Sequence, residues 1–179
     1  MPLILFVVNA HEFTASHRMP IIKGAIKNGY IVKAVAPKKS PAMDLLHAEG
    51  IETYAINLSR RKLNIWHEIL SISELCKLYA KLNPDIVHHA TIKPVIYGTI
   101  AAYYSKIGGI VNAITGLGYI YTGNDLRTKL LRFIVNILYK IIFQIKNQKI
   151  IFQNNDDKNL LINFGLIKKE NAILIPSSG

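Results

Sequence analysis

The stretch LILFVVNAHEFTASHRMP, residues 3–20, decides the fold. Six apolar residues come first, and a polar segment follows them directly. A short, continuous apolar run is typical of a strand that is covered on both faces, as in a parallel sheet. We therefore expect a buried strand that passes through a polar loop into a helix, which is the first half of a βαβ unit.

Apolar runs and segments of helical period alternate along the whole chain. Strands are predicted at residues 3–8, 31–36, 51–57, 85–89, 110–115, 149–153 and 172–175, and helices at 17–28, 41–49, 64–82, 94–107, 126–147 and 156–164. Such alternation is typical of a parallel sheet with helices on both faces. The predicted class is α/β: a single Rossmann-like, three-layer domain of residues 1–179, with a mostly parallel sheet of about seven strands.

Composition limits the possible partners. The chain has 22 Lys and Arg against 11 Asp and Glu, a formal charge of +11, which favours an anionic partner such as a phosphate-bearing substrate or an acidic lipid. Nucleic acid is not expected, because the sequence has no recognition-helix motif and no aromatic stacking platform. The single Cys76 excludes an internal disulfide, and without a Cys cluster or an HExxH motif no metal site is expected.

The N-terminal apolar run is too short for a targeting signal. It has six residues and no basic region before it, so we expect no signal peptide and a cytoplasmic location.

Polar residues follow three of the predicted strands. In an open parallel sheet, ligands bind beyond the carboxyl ends of the strands, where loops converge and helix N-termini offer free N–H groups. The candidates for ligand contact are Asn9, His11, Ser16, His17 and Arg18 after the first strand, His88, His89, Thr91 and Lys93 after the fourth, and Thr115, Gly116 and Gly118 after the fifth.

The group after the first strand also has an interpretation without a ligand. Ser16 or Thr14 would cap the first helix, and His17 and Arg18 would be solvated residues of its first turn. The helix dipole opposes a cation in the first turn unless an anion is nearby. Arg18 is therefore a candidate for an anionic ligand.

The adjacent His88 and His89 must point to opposite faces of their strand. We expect one of them to reach the site and the other to pack against a helix. Lys93 either meets a phosphate or is a surface lysine. In the segment NAITGLGY, Gly116 and Gly118 either let the backbone approach a ligand closely or form a tight turn into a loop.

Residues 127–149 are predicted to form a basic and apolar helix. The segment has six Lys or Arg and no acid, and its longest uncharged run is seven residues, far below the roughly 20 that span a bilayer. It either packs deeply in the protein or lies in an anionic membrane interface, where its cations snorkel. Because no acid balances the cations, membrane contact is favoured. The candidates are Arg127, Lys129, Arg132, Phe133 and Lys140.

Four segments together resemble the N-terminal domain of family 4 glycosyltransferases of the GT-B fold. They are SHRMPIIKGAIKNGY, PDIVHHATIKPVIYGTIAA, VNAITGLGYIY and LRFIVNILYK. The resemblance is closest to bacterial enzymes of capsule, O-antigen (lipopolysaccharide) and N-glycan assembly that add an N-acetylhexosamine to an undecaprenyl-diphosphate-linked sugar. It extends over essentially the whole chain.

The resemblance implies that this domain holds the lipid-linked acceptor, while a C-terminal domain absent from this chain binds the UDP-sugar. It implies a transferase that retains the anomeric configuration, needs no metal or cofactor, and works as a peripheral protein on the inner face of the plasma membrane. This domain alone would then be inactive. A non-catalytic lipid-phosphate or membrane-binding subunit is the alternative.

The resemblance also implies roles for the candidate residues. Arg18 and Lys93 would bind the acceptor diphosphate, and the backbone of Thr115, Gly116 and Gly118 would face the nucleotide sugar. Many relatives carry a His where this chain has Thr115 and Gly116, so the catalytic candidates here are His11, His17 and His89, which would contact sugar hydroxyls. Asn9, Ser16 and His88 complete the set of substrate-binding candidates.

Overall fold

The computed structural model describes residues 1–10, 12, 14–37, 42–58 and 65–176. Seven strands of this part form one sheet in which neighbouring strands pair in parallel. They are β1 (Leu3–Val7), β2 (Ile31–Pro37), β3 (Glu52–Ile56), β4 (Ile86–Ala90), β5 (Gly109–Ile114), β6 (Gln148–Phe152) and β7 (Ala172–Leu174). The predicted parallel sheet is confirmed, and each strand end lies within one residue of its expected position.

Seven α-helices connect the strands in the part of the chain that the structure describes. They are α1 (Met19–Lys27), α2 (Ala42–Ala48), α3 (Ile65–Leu82), α4 (Ile92–Tyr104), α5 (Gly118–Thr122), α6 (Leu126–Ile142) and α7 (Asn155–Asn163). A π-helical turn, Thr14–Arg18, precedes α1, and a 3-10 turn, Lys169–Asn171, precedes β7. The helices differ from expectation in four places. The helix α5 was not predicted, α1 begins at Met19 rather than 17, and α4 lies two to three residues before the expected 94–107. The helix α6 ends at Ile142 rather than 147 because the chain turns through Asn147, at φ 59°, into β6.

The strand order is β3-β2-β1-β4-β5-β6-β7. On one face of the sheet, Phe6 and Val32 pack with Ile22 of α1 and Leu46 of α2. On the other face, two clusters cover the strands with side chains from α3, α4, α6 and α7. Since the side chains of a strand alternate between the faces, the near-continuous apolar runs of the sequence follow from this three-layer arrangement.

The strands β1 and β4 lie side by side at the middle of the sheet. Phe6 pairs with His88 in register, and the backbone N–H of Leu3 donates to Oδ2 of Asp85 at 2.7 Å. The helix that follows β1 lies on one face and the helix that follows β4 lies on the other, so the loops after these strands diverge. A crevice opens at such a switch point, beyond the carboxyl ends of the strands.

Candidate functional site

Arg18 and His88 lie together beside the switch point. Arg18 ends the π-helical turn and is only 4% exposed, and its burial lowers the pKa of the guanidinium. The imidazole of His88 stacks on Phe6 with ring centroids 4.7 Å apart. Burial, followed by repulsion from Arg18 and His89, lowers the pKa of His88 to about 3. At neutral pH the site therefore places a cation beside an uncharged imidazole.

Several buried polar atoms at this edge of the sheet have no hydrogen-bond partner among the described residues. They are both ring nitrogens of His88, Oγ1 of Thr14 and Oγ1 of Thr91. Thr91 also has a backbone φ of 75°, which is strained for a residue with a Cβ. Buried polar groups are nearly always paired, and strained residues cluster at functional sites. Buried polar atoms of this kind mark the edge as a candidate site.

His89 lies on the opposite face of β4 and is fully buried. Its Nε2 is 2.9 Å from Oη of Tyr79, and its Nδ1 is 2.8 Å from Oδ1 of Asn112. Burial lowers the pKa of His89 to about 4. His89 is therefore the histidine of the pair that packs against helices, as expected. Because both of its ring nitrogens are engaged inside the protein, we withdraw its assignment to a sugar hydroxyl and to catalysis.

Lys93 is also engaged within the protein. Its Nζ lies 2.6 Å from Oε1 of Glu68, and both side chains are largely buried. The ammonium lies 5.9 Å from the ring centroid of Tyr97. Neither of the two alternatives for Lys93 describes this position: it is not a solvated surface lysine, and a carboxylate of α3 already compensates its charge. Its assignment to the acceptor diphosphate stays a prediction, in which a phosphate would share the ammonium with Glu68.

The polar residues before α1 differ in their surroundings. Oγ of Ser16 donates to the carbonyl of Glu12 at 2.7 Å and lies 2.6 Å from Nδ1 of His17. Capping by Ser16 is not observed, since α1 begins at Met19 without a side-chain cap. Ser16 and His17 are exposed and Asn9 is half-buried beyond β1. His11 lies outside the described residues.

A glycine segment follows β5 at the same edge of the sheet. Thr115 is half-buried, Gly116 and Gly118 are exposed, and Leu117 between them is 3% exposed. Gly116 has φ 114° and Gly118 has φ 57°, with open space around both. Backbone conformation rather than lack of room therefore requires glycine at these positions. The two exposed glycines leave the backbone of this segment accessible beside β4.

The outer face of α6 is apolar and exposed. Its exposed large apolar residues are Leu126, Leu130, Phe133, Ile134, Ile137 and Ile141. Spacings of three, four and seven relate these residues to one another and place them on one side of the helix, opposite the buried Val135, Tyr139 and Ile142. Arg127, Lys129 and Lys140 are exposed as well. No helix of the described residues is long and apolar enough to cross a membrane.

Arg132 does not belong to this outer face. Its Nε donates to the carbonyl of Ile120 at 2.8 Å and its Nη2 to the carbonyl of Gly123 at 2.6 Å. The side chain is half-buried between α6 and α5, with its guanidinium 5.8 Å from the ring centroid of Tyr121. The expected membrane contact of Arg132 is therefore corrected to a contact with the backbone around α5.

Sequence reasoning missed three features of this edge. Glu68 and Asp157 were not candidates, because their partners Lys93 and Leu117 come from distant parts of the chain. Thr14 was considered only as a helix cap. The described residues contain no group of three or more His, Cys, Asp or Glu side chains that could hold a metal ion.

Comparison with solved structures supports the fold. A glycosyltransferase from Rickettsia africae superposes with a TM-score of 0.67 at 16% identity, covering 98% of this chain and 42% of that one. A UDP-GlcNAc 2-epimerase from Neisseria meningitidis, bound to UDP-GlcNAc, superposes with a TM-score of 0.68 at 19% identity, covering 98% and 46%. Because one architecture occurs in a transferase and an epimerase, these similarities establish the fold and not the reaction.

Sequence comparison is more specific. The chain is 31% identical over 173 residues to N,N'-diacetylbacillosaminyl-diphospho-undecaprenol alpha-1,3-N-acetylgalactosaminyltransferase of Campylobacter jejuni. The match covers 97% of this chain and 45% of that protein, so the chain spans about half the length of this curated relative. Residues 3–154 match the family described as "Glycosyl transferase 4-like". On this match over most of its length, the chain belongs to the glycosyl transferase 4-like family.

Proposed function

We propose that this chain is the acceptor-binding, N-terminal part of a retaining glycosyltransferase of the GT-B fold. The enzyme would transfer an N-acetylhexosamine from a UDP-sugar to a polyprenyl-diphosphate-linked saccharide in surface polysaccharide or glycan biosynthesis. A second domain would bind the UDP-sugar, and the reaction would need no metal or cofactor. Family membership and the Campylobacter relative, whose name specifies a diphospho-undecaprenol acceptor, support this proposal.

The single observation that carries the proposal is the buried pair of Arg18 and His88. A diphosphate needs a cation and N–H donors, and charge-assisted hydrogen bonds are stronger where water is excluded. Arg18 supplies the charge. The neutral imidazole of His88 can donate one hydrogen bond and accept another, which suits a phosphate oxygen and a sugar hydroxyl. Thr14 and Thr91 add hydroxyl groups at the same edge.

The glycine segment, Thr115 to Gly118, would line the side of the crevice that faces the nucleotide sugar. It follows β5, directly beside β4, so its exposed backbone lies next to the proposed acceptor site. His17 stays a candidate for a sugar hydroxyl, because its ring is exposed at the start of α1. Asn9 lies beyond β1 on the other flank of β4.

We further propose that the outer face of α6 rests on the membrane that holds the lipid-linked acceptor. Apolar residues at the centre of this face would enter the interface, and Arg127, Lys129 and Lys140 would meet anionic headgroups. At the start of α3, in the same helical layer, Ile65, Trp66, Ile69 and Leu70 are also more than half exposed. The protein would thus be peripheral on the inner face of the plasma membrane.

A transfer assay tests the proposal. The full gene product would be incubated with labelled UDP-N-acetylgalactosamine or UDP-N-acetylglucosamine and an undecaprenyl-diphosphate-linked saccharide, with and without EDTA. The expected product is a lipid-linked saccharide extended by one sugar with the anomeric configuration of the donor, formed equally well with EDTA. Tight binding of the acceptor without any transfer would instead favour a non-catalytic lipid-phosphate or membrane-binding subunit.

A further inference from the structure

Two charged side chains, from two different helices, bond to the backbone of the glycine segment and of α5. The backbone N–H of Leu117 donates to Oδ2 of Asp157 at 3.3 Å. The guanidinium of Arg132 binds the carbonyls of Ile120 and Gly123. Asp157 and Arg132 therefore both bond to the backbone of one short surface segment.

Asp157 is itself held in place at the start of α7. Asn154 caps this helix by accepting from the backbone N–H of Asp157 at 2.7 Å, and its Nδ2 donates to Oδ2 of Asp157 at 3.0 Å. The first turn of a helix also favours a carboxylate electrostatically. The oxygen that receives the N–H of Leu117 is thus fixed by a neighbour on its own helix.

Arg132 covers carbonyls that have no partner within α5. A helix of five residues leaves its last carbonyls without an N–H donor inside the helix, and the two donors of Arg132 reach two carbonyls, one inside the helix and one just beyond its end. The guanidinium also lies over Tyr121, whose Oη donates to Oδ1 of Asn136 at 2.5 Å. Arg132 and Asn136, both on α6, therefore fix α5 together.

Packing of α6 does not explain these contacts. The helix buries Thr128, Val135, Tyr139 and Ile142 against the domain, and Arg132 lies on its flank. Among the side chains that the structure describes in this segment, Leu117 alone is deeply buried, and exposed glycines lie on either side of it. That segment lies beside β4, next to the site of Arg18 and His88.

We propose that Arg132 and Asp157 are positioning residues, which fix the glycine segment and α5 and thereby set how the two substrates meet. The proposal rests on the proposed function, in which this segment faces the nucleotide sugar. Neither residue touches substrate. Their effect is expressed through the backbone of residues 115–123.

The test uses the full gene product in the transfer assay and amide hydrogen exchange. Asp157→Ala removes the acceptor for Leu117, Asp157→Asn keeps an acceptor oxygen, and Asp156→Ala removes the neighbouring exposed acid. In parallel, Arg132→Ala is compared with Lys146→Ala, an exposed cation just beyond α6.

We expect Asp157→Ala and Arg132→Ala to lower kcat/KM by on the order of 10- to 100-fold, since small misplacements of a site have effects of this size. Exchange should accelerate at residues 115–123 but not in β5 or β6. Asp157→Asn should recover most of kcat/KM, and Asp156→Ala and Lys146→Ala should match the wild type.

Two results would overturn the inference while leaving the proposed function intact. One is unchanged kcat/KM in both alanine variants although the segment exchanges faster. The other is a loss of activity in Asp157→Ala that Asp157→Asn does not restore and that accompanies faster exchange throughout the sheet. Failure of the wild-type protein to transfer any sugar would refute the proposed function and this inference with it.

Discussion

A Cβ on Gly98 would lie 2.4 Å from two ring atoms of His89. The imidazole cannot move without losing hydrogen bonds, because Tyr79 and Asn112 bond to its two nitrogens. Asn112 is in turn hydrogen-bonded to Thr99 and Gln148. Glycine in a helix interior costs about 1 kcal/mol relative to alanine. The glycine of α4 is therefore required by the close approach of β4.

Replacing Gly98 by alanine should destabilise the protein. We expect the free energy of unfolding to fall by about 1–3 kcal/mol, the usual range for overpacking a core. The matched control is Gly24→Ala in α1, where no atom lies within 4 Å of the added Cβ, and a gain of about 0.5–1 kcal/mol is expected. Urea denaturation measures both variants. Equal stability of the two would show that the packing between His89 and α4 adjusts freely.

The stability of the protein should fall in mild acid. The pKa of His88 is lowered to about 3 and that of His89 to about 4. Between these values and the ordinary pKa of about 6.5, each histidine is therefore protonated in the unfolded chain and neutral in the folded chain. This stability is fully present above pH of about 6.5 and is lost as the pH falls towards these values. Each histidine should lower the free energy of unfolding by about 2 kcal/mol between pH 7 and pH 5.

Denaturation at both pH values tests this expectation. The difference between pH 7 and pH 5 should shrink in His89→Gln and in His88→Gln, whatever their stability at pH 7. The control is His67→Gln, which removes an exposed imidazole of α3. A pH dependence that the two variants leave unchanged would contradict the assignment of both buried histidines as neutral.

Arg18→Ala should weaken binding of the diphosphate acceptor. Loss of a charge-assisted contact of about 2 kcal/mol corresponds to about 30-fold in Kd. Affinity for the UDP-sugar should not change in the same variant. The control is Lys23→Ala on α1, which removes an exposed ion pair with Glu49. Calorimetry on the full gene product measures both ligands, and an equal loss for both would refute a role in the acceptor site.

Neutralising the cations of α6 should abolish binding to anionic membranes. The triple variant Arg127→Gln, Lys129→Gln, Lys140→Gln should lose about 1 kcal/mol of membrane-binding free energy per charge. The affinity for anionic vesicles should then fall roughly 100-fold in all. The control, Lys27→Gln, Lys106→Gln, Lys168→Gln, has the same net charge and changes exposed lysines elsewhere. Sedimentation with vesicles of anionic or neutral lipid measures both. Equal sedimentation with the two lipids would make α6 an ordinary surface helix.

Local pattern predicted the fold almost completely. Strands 3–8 and 85–89 are short apolar runs between turn residues, and this signal needs no knowledge of partners. The short helix α5 was missed because GYIYT lacks a long periodic pattern and is held by Arg132, which lies ten residues further along the chain.

The site was predicted less well, for a physical reason. Arg18 and His88 were correctly placed at one edge of the sheet because both lie at or beyond the ends of predicted strands. The carboxyl ends of all strands in a parallel sheet lie at the same edge. It could not show that Lys93 meets Glu68, 25 residues away on another helix. Nor could alternation along β4 tell which of the two adjacent histidines lies beside Arg18, since that depends on which face each helix covers.

The hydrogen bond from Leu3 to Asp85 has a consequence for synthesis on the ribosome. Its two residues are 82 positions apart, and β4 supplies one whole edge of β1. At a translation rate of about 5–20 residues per second, β1 waits roughly 4–16 s for this neighbour. During that time the apolar strand has an unpaired edge. Such edges are bound by chaperones and promote aggregation. Among the seven strands, β1 thus waits longest for its second neighbour.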